Sequence, residues 1–367
     1  MEPRHNLALK PLTTFGVAGT AVQAWVLNRF EQVDPLLEAL AKTAQHRDGT
    51  GFLMPFVLGG GSNVLIARDL QEPLILVRLA GRRLLDDDGI RVLLEVGAGE
   101  SWDETVRYTL AEGWFGLENL SLIPGLAGGA PWQNIGAYGV EVAEVIHAVN
   151  AVHLGSGERR RFGAGECAFG YRSSFFKSPE GREWLITAVQ LRLSRQPRLR
   201  IDYGDIQAEL EALAASDAGA APAGNAGPAT DPVAGPSPLQ VARAVRSIRR
   251  RKLPDPRLVG NAGSFFKNPV VTLDEAESLS LAFPAAPIHR VSGDATRAKL
   301  SAGWLIEAAG WKGFRDGDAG VSSQHALVLV NHGSATGRQL LALAQRIQQS
   351  VRERFGVALE PEPVIVA

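Results

Sequence analysis

The sequence predicts an α+β protein with more than one domain, because short apolar strand patterns alternate with amphipathic helical patterns along 367 residues. Hydrophobic residues make up 45% of the chain, charged residues make up 21%, and the formal net charge is −1. This composition is ordinary for a globular protein and gives no reason to expect nucleic-acid binding.

The sequence also limits which kinds of bound metal and which cellular locations are expected. Cys167 is the only cysteine, so an intrachain disulfide and a thiolate metal cluster are excluded. No apolar stretch approaches the roughly 18–20 residues that cross a bilayer, and the N-terminus lacks the basic and apolar regions of a signal peptide. We therefore expect a cytoplasmic protein without membrane insertion.

The patterns in the first half of the chain predict many short strands and two helices. Asp34-Pro35 predicts an N-cap and first helical residue for a helix to about Gln45. Ser101 and Glu104 have capping-box spacing, and the helix that they begin is expected to end at Gly113. Strand-like apolar runs lie at 55–58, 64–66, 74–79, 91–96, 145–154 and 185–193.

Residues 214–238 differ in composition from their surroundings. They consist mainly of Ala, Gly, Pro, Ser, Asn and Asp, which bury too little surface to offset the entropy of ordering, and we expect a flexible insertion there. Ser237-Pro238 then opens a helix that runs into Arg249-Arg250-Arg251-Lys252. Further helical patterns lie near 273–282, 299–309 and 336–354, with an apolar strand at 326–330.

A strand that runs into consecutive glycines is the first candidate ligand loop. Val57-Leu58 is followed by Gly59, Gly60, Gly61, Ser62 and Asn63. Such a turn exposes backbone N–H groups and permits close approach of a pyrophosphate. It is neither a G-x-G-x-x-G fingerprint nor a Walker A loop, so those two readings lack support. Taken alone, a structural turn explains the pattern equally well.

The second candidate loop is the long Gly-rich stretch 123–139, which contains Asn134 and Tyr138. A backbone this rich in glycine suits the wrapping of a flat ligand, and a connection this long is usually functional. The alternative is an irregular connecting loop.

A hydroxyl set between a glycine turn and two aromatic rings is the most informative local pattern. It occurs in Gly260-Asn261-Ala262-Gly263-Ser264-Phe265-Phe266-Lys267-Asn268-Pro269, and the tetrapeptide at 264–267 is echoed at 174–177. Such a hydroxyl can be positioned and partly shielded from water as a proton donor. The alternative is a pair of hydrophobic hairpins closed by glycine turns.

The cations at 249–252 are most simply explained as a solvated helix end that complements the helix dipole, with anion binding by one or two of them as the next alternative. The seven histidines show no metal-binding spacing, so no metal is expected.

The ordered set of motifs resembles the UDP-N-acetylenolpyruvoylglucosamine reductase family. The motifs are V-L-G-G-G-S-N, I-P-G-x-x-G-G…Q-N-I-G-A-Y-G, F-G-Y-R-x-S-x-F, K-L-P-D-P, G-N-A-G-S-F-F-K-N-P and a terminal L-E-P-E. They extend from Asn6-Leu7 to Glu362, which is almost the whole chain. The insertion at 214–238 departs from the family pattern, and His325 stands where some members have glutamine.

The resemblance implies a fold, a cofactor and a reaction. The fold would be an FAD-binding α+β fold like that of vanillyl-alcohol oxidase in two subdomains, with a C-terminal α+β substrate-binding domain. FAD would be bound noncovalently and would take hydride from NADPH. Hydride would then pass through flavin N5 to the enolpyruvyl ether of UDP-N-acetylglucosamine enolpyruvate, giving UDP-N-acetylmuramate for peptidoglycan synthesis. We expect a monomer.

The resemblance also assigns the domains. The FAD-binding region would occupy 1–213, in subdomains of roughly 1–75 and 76–213. The insertion at 214–238 would follow, and then a substrate-binding domain at 239–355. A C-terminal strand, 356–367, would carry the catalytic glutamate.

The family's catalytic residues carry over to three positions. Hydride arriving at the β-carbon leaves negative charge on the α-carbon and its carboxylate, so the site needs cations and one proton donor. Arg172 would hold the carboxylate with its planar fork, Ser264 would donate the proton, and Glu362 would have to be protonated to help.

The resemblance also implies binding positions. FAD would be held by Gly59, Gly60, Gly61, Ser62, Asn63, Gly125, Gly129, Asn134, Gly136, Ala137 and Gly139. Substrate would be held by Tyr171, Tyr203, Lys252 and Asn268. Tyr203 matches a tyrosine loop found in one subgroup of the family, and Tyr171 has core packing as its alternative role.

Two other classes of function remain open on the sequence. One is an oxidase of the same fold, which often anchors flavin covalently through His or Cys. The other is a protein that binds a nucleotide sugar without chemistry, although such a protein has no need of a proton donor.

Overall fold

The computed structural model describes residues 1–45, 54–219, 235–291 and 294–367. The described helices, in chain order, are α1 (Val33–Gln45), α2 (Trp102–Ala111), α3 (Gly129–Trp132), α4 (Ile206–Gly219), α5 (Pro238–Lys252), α6 (Leu273–Ala282), α7 (Ala302–Ala308) and α8 (Gly337–Phe355). The described strands are β1 (Arg4–Ala8), β2 (Thr20–Leu27), β3 (Phe56–Leu58), β4 (Val64–Ile66), β5 (Leu74–Val77), β6 (Arg82–Asp87), β7 (Arg91–Gly97), β8 (Gly136–Ala137), β9 (Val140–Glu141), β10 (Ile146–His153), β11 (Arg159–Gly163), β12 (Trp184–Ser194), β13 (Gly260–Asn261), β14 (Val270–Thr272), β15 (Ile288–Val291), β16 (Asp294–Leu300), β17 (Arg315–Asp316), β18 (Ala319–Val321), β19 (Leu329–Asn331) and β20 (Val364–Val366).

The chain divides into two compact units, each built from separated segments. The first unit comprises Met1–Pro3, Ala24–Gly59 and Pro73–Arg250. The second unit comprises Arg4–Gln23, Gly60–Glu72 and Arg251–Ala367. This division differs from the expected boundary inside 214–238, because two N-terminal segments join the second unit. In Gly60–Glu72, β4 pairs with β20, and in Arg4–Gln23 the Thr14 carbonyl accepts from Asn261 N at 3.0 Å.

Both ends of the predicted insertion at 214–238 belong to helices. Helix α4 extends to Gly219, so residues 214–219 are helical. Residues 220–234 lie outside the described part of the chain. Helix α5 remains with the first unit as far as Arg250 because Val241, Val245 and Ile248 are buried in one cluster with Ile206 at the start of α4.

The first unit is centred on a five-stranded antiparallel sheet in the order β11-β10-β12-β7-β6. Val149 stands opposite Phe162 on one side and Val189 on the other, and all three are buried. In the same unit β5 pairs in parallel with β2 and with β3, at Trp25–Ile75 and Val57–Ile75. The apolar alternation that predicted these strands therefore reports real burial.

The second unit contains smaller sheets. Antiparallel sheets have the orders β13-β19-β18-β17 and β14-β16-β15, and β20 pairs with β4 in parallel, with Val364 opposite Val64. Helix α8 begins at a capping box between Thr336 and Gln339 and ends at Gly356 in the left-handed conformation.

Most predicted elements are present, with shifted ends. Helix α1 begins at Val33, one residue before the predicted N-cap. Helix α7 begins at Ala302 rather than 299, because Leu300 still pairs with Ile288 in the sheet and Ser301 caps the helix. The strand predicted at 326–330 is found at Leu329–Asn331, and the Ala-rich helix α4 was not predicted. None of the described helices is long and apolar enough to span a membrane.

Candidate active site

A tight turn in the first unit presents Arg172. Gly170 and Ser173 exchange both backbone hydrogen bonds at 3.0 Å, which leaves Tyr171 and Arg172 at the tip. Arg172 has φ 53°, in the left-handed region that side-chain-bearing residues avoid. Such strain costs on the order of 1–3 kcal/mol and persists only where the surroundings enforce it.

Several contacts enforce the conformation of this turn. The Arg172 Nη2 group donates to the Gly136 carbonyl at 2.9 Å, and Lys177 Nζ donates to the Arg172 carbonyl at 3.1 Å. The Arg172 guanidinium also lies over the Tyr171 ring, 5.4 Å from its centroid. Tyr171 therefore supports Arg172 directly.

Asn134 connects this turn to the second glycine-rich loop. Its Nδ2 group donates to the Glu141 carboxylate at 2.6 Å and to the Gly170 carbonyl at 3.1 Å, while its Oδ1 accepts from the Ala143 amide at 3.0 Å. Asn134 is only 1% exposed. Both N–H donors of its side chain are used within the protein, and its contact with a cofactor stays a prediction.

Helix α5 adds a second guanidinium to this region. Arg249 Nε donates to the Leu122 carbonyl at 3.3 Å. Burial lowers the pKa of Arg249, and the positive charge of Arg172 lowers it further, while Tyr138 and Asp103 act in the opposite direction. Two cations that repel each other in this way would both be stabilised by an anionic ligand.

The explanation of the 249–252 run as a solvated helix end is therefore wrong for its first member. Arg250, Arg251 and Lys252 are exposed, whereas Arg249 is partly buried. Its position could have been predicted, since it follows Val245 by four residues and lies on the apolar face of the helix. On the same helix Arg246 pairs with Asp103 at 2.5 Å.

The first glycine-rich loop begins at Gly59 in the first unit. A Cβ at Gly59 would lie 3.8 Å from the Leu126 side chain, so this glycine is next to the second loop. Arg78 Nη1 donates to the Gly59 carbonyl at 3.0 Å and to the Val77 carbonyl at 2.6 Å. Burial lowers the pKa of Arg78. Arg78 is not among the site residues predicted from the sequence, although a cation directly after an apolar strand indicates such a role.

The remainder of that loop belongs to the second unit. Gly61 has φ 62°, and a Cβ there would approach the Leu12 carbonyl to 2.0 Å, so only glycine fits. Gly60 and Ser62 are half-buried in the same turn. Asn63 Nδ2 donates to the Glu362 carbonyl at 3.3 Å, and Val364 N donates to the Asn63 carbonyl at 3.0 Å. Asn63 thus anchors the segment that carries Glu362.

The second glycine-rich loop is held at its start and open at one position. The Gly125 carbonyl accepts from Trp102 N at 3.1 Å, at the first residue of α2. A Cβ at Gly129 would meet nothing within 4 Å, so its backbone is open to a ligand. Near the end of the loop, Gly136 and Ala137 form β8 against β9. Open glycine backbone of this kind allows close approach of a pyrophosphate, as FAD has.

Gly139, at the end of the second glycine-rich loop, lies against Tyr203. It has φ 79°, and a Cβ there would lie 3.3 Å from the Cβ of Tyr203. Asn119 Nδ2 joins the same two segments by donating to the Tyr138 carbonyl at 2.9 Å and the Arg200 carbonyl at 2.8 Å. Tyr203 itself is 59% exposed. Gly139 therefore provides space for the segment that presents Tyr203.

In the second unit Ser264 lies between a glycine turn and a buried aromatic pair. Gly263 has φ 70°, and its amide donates to Asn261 Oδ1 at 3.0 Å. Phe265 and Phe266 are fully buried, with ring centroids 5.1 Å apart. Glu362 N donates to the Phe265 carbonyl at 2.8 Å. The predicted proton donor and the predicted glutamate thus lie on hydrogen-bonded neighbouring segments.

The remaining predicted substrate contacts are also in the second unit. Asn268 Oδ1 accepts from Ala302 N at 3.0 Å, at the start of α7. His325 Nδ1 accepts from Leu327 N at 3.2 Å, so a neutral His325 carries its proton on Nε2. Burial lowers the pKa of His325, and the charges of Lys252 and Lys312 lower it further, while Glu307 opposes them. The positive charge of Lys252 therefore acts on the His325 ring.

The structure also bears on metal binding and on the reactivity of Cys167. Within the described ranges, no three His, Cys, Asp or Glu side chains are grouped closely enough to hold a metal ion. Cys167 is fully buried, and burial raises the pKa of its thiol to about 12.

Comparison with known proteins gives concordant matches. A family model described as UDP-N-acetylenolpyruvoylglucosamine reductase, C-terminal domain, matches residues 255–366, and one described as FAD binding domain matches 54–163. The UDP-N-acetylenolpyruvoylglucosamine reductase of Chromobacterium violaceum is 48% identical over 100% of this chain and 99% of its own. The enzyme of that name from Pseudomonas aeruginosa is 47% identical over 99% and 98%.

A solved structure agrees with these matches. The UDP-N-acetylenolpyruvylglucosamine reductase of Thermus caldophilus covers 100% of both chains, with a TM-score of 0.63 and 27% identity. The predicted α+β fold with an FAD-binding region is thereby confirmed. The chain belongs to the UDP-N-acetylenolpyruvoylglucosamine reductase family, whose members are FAD- and NADPH-dependent oxidoreductases of peptidoglycan precursor synthesis.

Proposed function

We propose that this chain reduces UDP-N-acetylglucosamine enolpyruvate to UDP-N-acetylmuramate with Arg172, Ser264 and Glu362 as its catalytic residues. The observation that carries the proposal is the hydrogen bond of 2.8 Å from Glu362 N to the Phe265 carbonyl, which sets the glutamate beside the segment of Ser264. Bound FAD supplies the transfer of hydride from NADPH to the substrate β-carbon. The protein has to supply charge stabilisation and one proton.

Noncovalent FAD would be held by backbone at Gly59–Asn63 and by the loop from Gly125 to Gly139. Support comes from the open backbone at Gly129 and from the proximity of Gly59 to Leu126. Arg78 donates to the Gly59 carbonyl and would keep that turn in place. Its positive charge also favours a pyrophosphate near the turn.

Arg172 would bind the substrate carboxylate, with Arg249 as a second cation for the same developing charge. Burial is the main cause of the lowered pKa of Arg249, and the smaller lowering by Arg172 supports the view that the two guanidinium groups act on the same ligand charge. Preorganised cations directed at developing charge provide much of the rate enhancement in such reactions. Tyr171 would support Arg172, and Lys252, Asn268 and Tyr203 would hold the remainder of the substrate. Tyr203 would place the chain in the subgroup with the tyrosine loop.

Ser264 would donate its hydroxyl proton to the substrate α-carbon, and a protonated Glu362 would assist. A serine hydroxyl is a weak acid in water, but a carbanionic centre is basic enough to take its proton when water is excluded. The two buried phenylalanines that follow Ser264 support such a partly dried position. We further propose that the protein is cytoplasmic and monomeric. Light scattering on the purified protein would test the monomeric state.

Stopped-flow absorbance of the flavin band tests the proposed role of Ser264. Wild-type protein should be bleached by NADPH and restored by the enolpyruvyl substrate. Ser264→Ala should leave bleaching nearly unchanged and slow restoration by about 10²–10⁴-fold, because only the second step needs the proton. Ser264→Cys should retain more activity than Ser264→Ala. Equal slowing of both steps would instead assign Ser264 to the shape of the pocket.

A further inference from the structure

The buried amide of Asn134 has no part in the chemistry above, yet it joins the segments that surround Arg172. One Nδ2 contact reaches the Glu141 carboxylate at 2.6 Å, and another reaches the Gly170 carbonyl at 3.1 Å. The Oδ1 atom accepts from Ala143 N at 3.0 Å. An amide has two N–H donors, and these two contacts use both of them within the protein.

Two of the contacts that hold the turn of Arg172 lead to the second glycine-rich loop, one from the base of the turn and one from its tip. Gly170, at the base, is held by the Asn134 side chain. Arg172, at the tip, is held through Nη2 by the Gly136 carbonyl, two residues beyond Asn134 along the chain. Both contacts therefore converge on the short segment 134–136.

The backbone of Arg172 makes the contact at the base important. With φ 53° this residue is in an unfavourable conformation that the chain would leave if it could. Loss of the Asn134 contact would leave the Gly170 carbonyl with only the hydrogen bond from Ser173 N, which lies within the turn. The base of the turn would then lose its side-chain link to Asn134, and the direction of the guanidinium would be less well defined.

We propose that Asn134 is a positioning residue for Arg172, and that it sets the direction of the guanidinium before the substrate binds. The proposal rests on the proposed function, in which Arg172 holds the substrate carboxylate. Bidentate recognition of a carboxylate depends on direction as well as charge. Misplacement by about 1 Å can slow a reaction by about 10²-fold.

The two half-reactions distinguish this role from a role in cofactor binding. Asn134→Ala should slow reoxidation of reduced flavin by the enolpyruvyl substrate by about 10–100-fold. Flavin reduction by NADPH should change by less than about threefold, and the Kd for FAD, measured by quenching of flavin fluorescence, should stay within the same limit. A weaker Kd with equal slowing of both steps would overturn the proposal and make Asn134 part of the cofactor site.

A double-mutant cycle tests whether Asn134 acts through Arg172. Arg172→Ala should slow the second half-reaction, and Asn134→Ala should add little more in that background, because its target is already gone. Full additivity would overturn the role of Asn134 alone. No effect of Arg172→Ala by itself would show that the proposed function of Arg172 has failed, a different and separately visible result.

Asn150 provides a matched control. Its Nδ2 also donates to a glutamate, Glu95, at 2.9 Å, but in the five-stranded sheet. Asn150→Ala should lower the melting temperature by about as much as Asn134→Ala does, and it should leave the rates of both half-reactions unchanged. If Asn134→Ala does not fold, Glu141→Ala removes one acceptor and keeps the amide. It should slow the second half-reaction by a smaller factor, and no effect would overturn the proposal.

Discussion

Strained single residues mark the loops around Arg172. Leu122 (φ 60°), Asn134 (φ 46°), Tyr138 (φ 50°) and Arg172 itself are in the left-handed region without being glycine. Each such residue costs free energy, which surrounding contacts must offset. Their concentration in one part of the first unit agrees with the placement of a functional site there.

Cys167 should be almost inert in the native protein. Its thiol is fully buried with a pKa of about 12, and the reactive species is the thiolate. At pH 8 a disulfide reagent should therefore react at least about 10²-fold more slowly with native than with unfolded protein. Colorimetric titration with and without guanidinium measures both rates. Rapid release of one equivalent from native protein would contradict the prediction.

His325 should make the stability of the protein depend on pH. Its pKa in the folded state lies below the usual 6.5, so the unfolded chain takes up the proton first as the pH falls. The stabilising contribution of the neutral ring is complete above about pH 6.5 and is lost as the pH falls through that value towards the folded pKa.

Urea denaturation at pH 7.5 and pH 5.5 measures this effect. Wild-type protein should lose more free energy of unfolding between the two values than His325→Gln. The exposed His5 provides the control, since His5→Gln should retain the wild-type difference. The same loss in His325→Gln as in wild type would show that other groups cause it.

Helix α5 shows how one element can serve both packing and chemistry. Val241, Val245 and Ile248 bury one face of the helix against Ile206. The same face continues into Arg249, whose guanidinium is held by the Leu122 carbonyl. Helical periodicity therefore delivers a cation to the region of Arg172 without a dedicated loop.

The turn at Gly139 should couple to the presentation of Tyr203. Gly139→Ala places a Cβ in a left-handed residue and 3.3 Å from the Tyr203 Cβ, so both the turn and its neighbour must move. We expect a loss of about 1 kcal/mol in stability and a several-fold rise in the KM for the nucleotide sugar. Thermal melting and steady-state kinetics measure the two effects.

Gly113 separates backbone strain from contact with Tyr203. It has φ 74° after α2, and a Cβ there would meet nothing within 4 Å. Gly113→Ala should therefore lose similar stability with no change in KM. An unchanged KM in Gly139→Ala would show that Tyr203 does not depend on this glycine.

At the scale of the whole chain, strand pairing between distant segments defines the second unit. Val364 pairs with Val64, and Glu362 and Asn63 are joined by a hydrogen bond of 3.3 Å. The C-terminal segment therefore completes a sheet begun almost 300 residues earlier. Neither strand has a local partner, so this pairing depends on the folded chain as a whole.

Residues 220–234 should tolerate complete replacement, a prediction that rests on their Ala, Gly and Pro content. A Gly/Ser segment of the same length keeps the connection between α4 and α5. We expect the melting temperature to change by less than about 2 °C and turnover by less than about twofold. Calorimetry and a steady-state assay suffice. A large loss of either quantity would mean that this segment contributes to packing or catalysis.

The sequence by itself determined the secondary structure of most of the chain and the family. Alternation and helical periodicity depend on neighbours within a few residues, so patterns such as 273–282 predicted α6 without any tertiary information. The motifs around Gly59, Arg172 and Ser264 were equally local, and they identified the family because their order is distinctive.

Tertiary structure alone decided what individual side chains in those motifs do. Asn134 is predicted to bind a cofactor, and the structure adds that its amide contacts Glu141, Gly170 and Ala143. Arg249 was assigned to a solvated helix end, but it is partly buried and bonded to Leu122. A motif gives the identity of a residue, whereas its hydrogen-bond partners come from segments up to 299 positions away, and folding alone determines which groups meet.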